Sequence, residues 1–257
     1  ILLEKPLAMT IEEINEIMAE YNKFPELVLM ECSARHSRLT PKFKKVKEII
    51  DSGKLGKIYY IHHNSIFRNS RPGIEYHPKA KWFLNKQLAG GGPLFDWGVY
   101  DLSFHLGLLN DEENLMKVGN VMLKSGLDNY DPGDDIYDVE EMFVANLELT
   151  NGIKYYWERG NHANVEVPNE TRIYGTRGGI KLGFCSWDSN TIKVYDLDEN
   201  GKSRERLETI DMENHSDEFA LAEHFINVLD KKEKPILPIE VAKKHLEIIF
   251  KCYEFAD

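Results

Sequence analysis

Residues able to do chemistry gather in two short stretches of this sequence. In Phe95-Asp96-Trp97-Gly98-Val99-Tyr100 a carboxylate and a phenol stand four residues apart, which places both on one face of a helix. Phe95, Val99, Leu102, Leu106 and Leu109 mark the apolar stripe of that helix. Asp96, Tyr100 and Ser103 repeat the pattern one residue later, about 100° round the axis, beside the stripe rather than opposite it. Asp96 falls in the first turn, where the helix dipole favours its ionised form. Gly98 leaves a gap through which another backbone or a flat ligand can approach. The same spacing also describes the polar rim of an ordinary amphipathic helix. The second stretch is Glu4-Lys5-Pro6, directly after the apolar pair Leu2-Leu3. Ligands of α/β sheets bind at the carboxyl ends of strands. A lysine there, stiffened by the following proline, could orient a substrate hydroxyl and lower a neighbour's pKa. A solvated strand-end lysine is the plainer alternative, and the sequence leaves open whether the Lys5-Pro6 bond is cis.

The surrounding pattern predicts the elements that position these groups. Residues 1–56 read as strand, helix, strand, helix. Thr10 and Glu13 form a capping box before Ile11, Ile14, Met18 and Tyr21. Leu27 to Met30 is a strand candidate. Thr40-Pro41 opens a second helix with Phe43, Val46 and Ile50 inward, stopped by Gly53. Lys57 to Phe67 is extended, and Gly90-Gly91-Gly92-Pro93 leads into the Asp96–Tyr100 helix. From Val118 onward strands dominate. Phe143, Ala145, Leu147 and Leu149 alternate along one of them, and Asn151-Gly152 is a hairpin turn into Ile153-Tyr155-Trp157. Gly178-Gly179 and Asn200-Gly201 mark further turns. Helices near 217–230 and 239–256 close the chain, the second with Ile239, Ala242, Leu246, Ile249 and Tyr253 in one stripe. The expected fold is α+β: a large, mostly antiparallel open sheet covered by helices on one face, preceded by a β-α-β-α segment.

Composition narrows the class. The 257 residues are 42% hydrophobic, 29% charged and 11% aromatic, which excludes disorder, collagen and coiled coil. A formal net charge of -11 makes nucleic acid and anionic membrane poor partners. Cys32, Cys185 and Cys252 are scattered and odd in number, so neither a disulfide framework nor a zinc site is supported. With no long apolar run and no leader pattern, a reducing cytoplasm is the expected location. His62 and His63 are adjacent in a strand and point to opposite faces, so they do not jointly ligate one metal.

Several segments resemble the glucose–fructose oxidoreductase/inositol dehydrogenase (Gfo/Idh/MocA) family. Glu4-Lys5-Pro6-Leu7-Ala8-Met9-Thr10 resembles its E-K-P-L-A-x-T segment. Gly90-Gly91-Gly92-Pro93-Leu94-Phe95-Asp96-Trp97-Gly98-Val99-Tyr100 resembles its G-G-G-x-L-x-D-x-G-x-[HY] segment. Ser52 to Ile58, Ile173 to Gly179 and the final helix pair continue the likeness in the family's order, across essentially the whole chain. The resemblance implies a Rossmann domain binding NAD or NADP, followed by a sheet domain that holds the substrate. It implies that Lys5 lies near nicotinamide and substrate, with Glu4 and Pro6 beside it, and that Tyr100 serves as general acid/base with Asp96 contacting substrate or cofactor. Tyr rather than His at position 100 is similar to the glucose–fructose oxidoreductase branch. Chemically, a phenol of pKa about 10 is a poor base at neutral pH unless a cation stabilises the phenolate, a part expected of Lys5. Arg68, Arg71, His77, Lys81 and Trp82, with Arg159 and His162, are candidates to line a polyol pocket. Tyr155, Tyr156 and Trp157 are expected in sheet packing or in a face-to-face homo-oligomer interface.

One departure from that pattern is large. No G-x-G-x-x-G occurs in the sequence, nor an acidic residue about 20 positions after one to read a ribose. The chain opens at Ile1, not Met, as if near the end of a middle Rossmann strand. Residues 1–56 are therefore expected to be the carboxyl-terminal remnant of a dinucleotide-binding domain, and 57–257 the substrate and dimerisation domain. The expected function is the substrate-binding part of an NAD(P)-dependent oxidoreductase acting on a carbinol of a sugar or polyol, the chain alone holding no cofactor. A non-enzymatic sugar- or nucleotide-sensing regulator on the same fold is the alternative, and a bare dimerisation module the third reading.

Overall fold

The computed structural model describes residues 1–68, 79–111, 114–127 and 132–256. Strands β1 (Leu2–Leu3) and β2 (Met30–Glu31) pair in parallel, with Leu2 opposite Met30 and Leu3 opposite Glu31. Both therefore end at the same edge, and the segments leaving them emerge side by side. Helix α1 (Ile11–Tyr21) joins them. Its Thr10 hydroxyl accepts the Glu13 N–H at 3.1 Å, while the Glu13 carboxylate takes the Met9 N–H at 2.8 Å, one residue upstream of the usual capping-box partner. Helix α2 (Pro41–Asp51) starts at the expected Thr40 cap, buries Phe43, Val46 and Ile49, and is followed by Gly53 at φ +70°. Ile49 goes inward more deeply than Ile50, because α2 meets a neighbour on a broader face than three spaced positions define.

An eight-stranded sheet fills the rest. It consists of β3 (Ile58–Ile66), β4 (Leu115–Lys124), β5 (Met142–Leu149), β6 (Lys154–Gly160), β7 (Val167–Gly175), β8 (Gly179–Leu182), β9 (Thr191–Leu197) and β10 (Ser203–Thr209). The order is β10-β9-β8-β7-β3-β6-β5-β4, and all neighbours are antiparallel except β3 and β6. The hairpins at Asn151-Gly152, Gly178-Gly179 and Asn200-Gly201 fall where the turn residues place them.

Helices α3 (Lys86–Ala89), α4 (Pro93–Leu108), α5 (Asp217–Leu229) and α6 (Ile239–Ala256) complete the described fold. None of the helices among the described residues is long and apolar enough to cross a membrane. One face of the sheet, carrying Phe143, Ala145, Leu147, Tyr155 and Trp157, shares a core with α4 and α6 through Val99, Leu102, Leu246 and Ile249. Leu7, Ile14 and Met18 belong to the same core, so packing runs without a break past residue 56. On the other face Tyr60 stacks on Tyr174 with centroids 5.2 Å apart, and His62 meets the edge of Tyr156 at 4.5 Å. Tyr155 and Trp157 thus point inward and Tyr156 outward. His62 and His63 likewise divide between the two faces.

Helix α4 departs from the expected amphipathic pattern. It is buried nearly all round, Tyr100 and Ser103 included, because it lies between the sheet and a second layer of α2, α6 and the Cys32–Ala34 turn. Only Asp96 and Trp97, in its first two turns, keep partial exposure. The gap at Gly98 is filled by the chain itself: a Cβ there would lie 2.9 Å from the Trp157 ring and 3.1 Å from Ile249. The triple glycine has a backbone reason as well. Gly90 sits at φ +83°, and a Cβ on Gly92 would fall 1.8 Å from the Glu140 carbonyl oxygen.

Candidate active site

Two segments from outside its own helix meet the Tyr100 side chain, which is 2% exposed. The first comes directly after β1. Lys5 Nζ donates to the Asp96 carboxylate and, at 2.7 Å, to the Asp96 carbonyl oxygen, and it stands 5.1 Å from the centroid of the Tyr100 ring. The Lys5-Pro6 peptide bond is cis. Sequence spacing puts Asp96 and Tyr100 together, and the tertiary fold brings Lys5 to both.

The second segment comes after β2 and holds residues that no motif in the sequence marks. Arg35 Nη2 donates to the Tyr100 hydroxyl at 2.9 Å, and its Nη1 reaches the Glu4 carboxylate at 3.3 Å. Arg35, and not Lys5, is therefore the cation at the phenol oxygen; Lys5 lies over the ring face. The expectation that Lys5 directly stabilises a phenolate needs this correction. The physical reason is geometric: Asp96, one turn below, captures the ammonium. Burial pushes the Tyr100 phenol well above its usual range, and Glu31 and Asp96 push the same way, against Arg35. Tyr100 is held here as a neutral phenol. Glu31 itself is fully buried, its carboxyl raised by burial, with Oε2 taking the Ser33 N–H at 2.8 Å and hydroxyl at 2.5 Å.

His36 adds a third component. Its ring lies 5.0 Å from Tyr100, 6.3 Å from Trp97 and 5.2 Å from Trp187. Trp187, 57% exposed, is presented by the turn after β8. Lys42 pins that turn from below, donating to the carbonyls of Cys185 at 2.5 Å, Asp188 at 3.0 Å and Gly183 at 3.2 Å. Trp97, Trp187 and His36 form an aromatic wall beside Tyr100. Such a wall suits the apolar face of a ring-shaped polyol. Asp217, the first residue of α5, closes the arrangement by accepting from His36 Nδ1 at 2.6 Å.

Beneath the site lies a buried ion pair. The Asp101 carboxylate receives Arg159 Nη2 at 2.6 Å and Nε at 3.0 Å, and Trp157 Nε1 at 2.8 Å, with His63 Nε2 at 3.3 Å. Burial alone would raise the Asp101 carboxyl, but Arg159 and His63 hold it far below the usual carboxylate range. Arg159, expected at the pocket, faces inward because its β6 position alternates with that of Glu158. It supports the wall from behind, its guanidinium carbon 4.9 Å from the Trp97 ring centroid.

Among the described residues, the other pocket candidates lie as follows. Arg68 is exposed at the end of β3, and Trp82 is 48% exposed and stacked on Phe83. Lys81 pairs with Asp135. His162 is buried just after β6. Arg71 and His77 lie outside the described residues. One signal points to Arg35 and His36: they come after β2 as Lys5 comes after β1, at the shared carboxyl edge of a parallel pair.

The family model of the GFO/IDH/MocA C-terminal domain matches residues 43–181, and the chain belongs to that family. It is 27% identical over 193 residues to D-glucoside 3-dehydrogenase of Escherichia coli, covering 71% of this chain and 51% of that protein. It is 28% identical over 246 residues to trans-1,2-dihydrobenzene-1,2-diol dehydrogenase of Xenopus tropicalis, covering 93% of this chain and 66% of that one. The chain thus spans between half and two thirds of the length of these relatives. Among solved structures, levoglucosan dehydrogenase in complex with NADH and L-sorbose superposes with a TM-score of 0.79 at 20% identity, over 99% of this chain and 70% of that one. At that identity the likeness concerns the fold.

Proposed function

We propose that the chain forms the substrate-holding part of an NAD(P)-dependent oxidoreductase that moves a hydride between nicotinamide and a carbinol of a sugar, polyol or related compound. The observation that carries this reading is the convergence of Lys5, Asp96, Arg35 and Tyr100 beside an aromatic wall. Relatives named as dehydrogenases of a glucoside and a dihydrodiol support it, as does D-xylose 1-dehydrogenase [NADP(+)] of Haloarcula marismortui, 25% identical over 198 residues. In this reading residues 1–56 face the dinucleotide and 57–257 face the substrate.

A nicotinamide, when bound, takes or gives the hydride. The chain's residues handle the proton. In carbonyl reduction the Tyr100 phenol gives its proton to the substrate oxygen as that oxygen becomes a hydroxyl. The phenolate left behind is met by the Arg35 guanidinium at its oxygen and by the Lys5 ammonium at its ring. In carbinol oxidation the same oxygen takes the proton back. Asp96 fixes Lys5 in this place through its carboxylate and carbonyl oxygens. Assay of a panel of aldoses, glucosides and polyols with NAD+ and NADP+ at 340 nm, in a preparation that binds the dinucleotide, tests the proposal. Saturable binding of a sugar with no turnover on any member would favour a sensing role instead.

The residues present suit only one end of the cofactor. Lys5 lies at the carboxyl edge of β1, where a nicotinamide would sit, but the turn after β1 is Glu4-Lys5-Pro6 and no G-x-G-x-x-G occurs in the 257 residues to cradle a pyrophosphate. Calorimetric titration of the 257-residue chain with NADH or NADPH is therefore expected to show no micromolar binding; such binding would overturn this part of the reading.

We also infer that the exposed sheet face, with Tyr60, His62, Tyr156 and Tyr174, pairs with a second copy, since aromatic residues concentrate at interface centres. Sedimentation velocity is expected to show a dimer that Tyr174→Glu shifts toward monomer. A monomeric parent chain would refute the pairing.

A further inference from the structure

Asp217 and His36 do no chemistry in the scheme above, yet they are tied together with Ser186, His215 and Arg35 by hydrogen bonds. Asp217 is 4% exposed and begins α5 behind the Ser216 cap. Its Oδ2 receives His36 Nδ1 at 2.6 Å and the Ser186 hydroxyl at 2.7 Å; its Oδ1 meets His215 Nε2 at 2.8 Å. The groups come from four places in the chain: the turn after β2, the turn after β8, the approach to α5, and α5 itself.

We propose that His36 and Asp217 are a positioning dyad that aims Arg35 at the Tyr100 oxygen. An ionised carboxylate only accepts, so the His36 nitrogen facing it carries the hydrogen. Nε2 faces the Arg35 Nε–H, which can only donate, so it is the nitrogen that keeps the lone pair. Arg35 Nε donates to that lone pair at 3.2 Å. The guanidinium is a rigid planar fork, so anchoring Nε sets the direction of Nη2. Nη2 is the nitrogen that donates to Tyr100 at 2.9 Å. The chain of dependence runs from Asp217 to His36 tautomer, to Arg35 orientation, to the phenol. With the opposite tautomer, two N–H groups would confront each other between His36 and Arg35, and the fork would turn away. His36 is itself held by its packing between the Tyr100 and Trp187 rings. Its Nε2 is occupied by Arg35, so it acts through Arg35 rather than on a substrate.

The inference rests on Tyr100 being the acid/base, and its test separates the two. Nitrogen-15 NMR of the 257-residue chain at neutral pH is expected to show His36 protonated at Nδ1 and unprotonated at Nε2. The Nε2–H tautomer would overturn the dyad without any variant. Asp217→Asn keeps the side-chain shape and can donate to Nδ1, reversing the tautomer. It is expected to displace the Tyr100 Cζ resonance and, in a preparation that binds the dinucleotide, to lower kcat on the order of 10- to 100-fold with KM changed less than about twofold. His36→Gln, which keeps an acceptor for Arg35, is expected to restore most of that kcat relative to His36→Ala. Should Asp217→Asn leave both the resonance and kcat unchanged, the dyad has no positioning role. Should Tyr100→Phe leave turnover unchanged, the acid/base reading fails, and the tautomer and the Tyr100 resonance still report on the dyad.

Discussion

Tyr100→Phe is expected to lower NAD(P)-linked turnover by about 10²–10⁴-fold, the usual worth of a positioned general acid or base. The substitution removes one oxygen and leaves the ring between Lys5 and His36, so KM for the sugar is expected to change little. Arg35 keeps its contacts with Glu4 and His36, and the packing of α4 is undisturbed. A rate within a few-fold of the unsubstituted protein, in a preparation that binds the dinucleotide, would remove Tyr100 from the chemistry. Because burial holds the phenol well above its usual range, the site rests with the Tyr100 proton in place. In the proposed scheme that state suits carbonyl reduction, and oxidation would draw on Arg35 and Lys5 to accommodate the phenolate.

Asp101→Ala is expected to destabilise the fold by about 3–5 kcal/mol, the cost of leaving one member of a buried pair without its partner. The Arg159 guanidinium would remain buried beneath the sheet, and the Trp157 N–H would lose its acceptor. Urea unfolding monitored by tryptophan fluorescence measures the change; a loss below about 1 kcal/mol would mean that solvent reaches the pair. The sign of the pH dependence is set by the depressed Asp101 carboxyl. Its contribution is fully present above the unfolded value of about 4 and is lost as pH falls toward the folded value. The Asp101→Ala protein is therefore expected to lose less stability on acidification than the parent.

Some parts of this architecture are written locally and are legible in advance. The Thr10 and Thr40 caps, the Asn151-Gly152 turn and the alternation from Phe143 to Leu149 each depend on residues within a few positions of one another. Their hydrogen bonds and faces come from backbone period alone. Asp96 and Tyr100 share that advantage, being one helical turn apart. Where the surroundings decide rather than the local period, the pattern misleads. Spacing allows a polar edge on α4, and the end of its strand makes Arg159 a pocket candidate, but Ser103 and Arg159 are enclosed by neighbours distant in sequence. Asp101, adjacent to Tyr100, carries no local signal because the arginine that neutralises it is 58 residues away.

The site divides along the same line. Lys5, Asp96 and Tyr100 are visible as residue types in a familiar order, and the order suffices to suggest carbinol chemistry. Which cation meets the phenol oxygen is decided only in three dimensions. Lys5 is drawn aside by Asp96, and Arg35 arrives from the end of the parallel neighbour β2, its fork aimed through His36 by Asp217. A sequence determines which groups exist and which lie on a common local face. Tertiary structure decides which donor reaches which acceptor, because hydrogen bonds act over about 3 Å while these partners stand 65 and 181 residues apart along the chain.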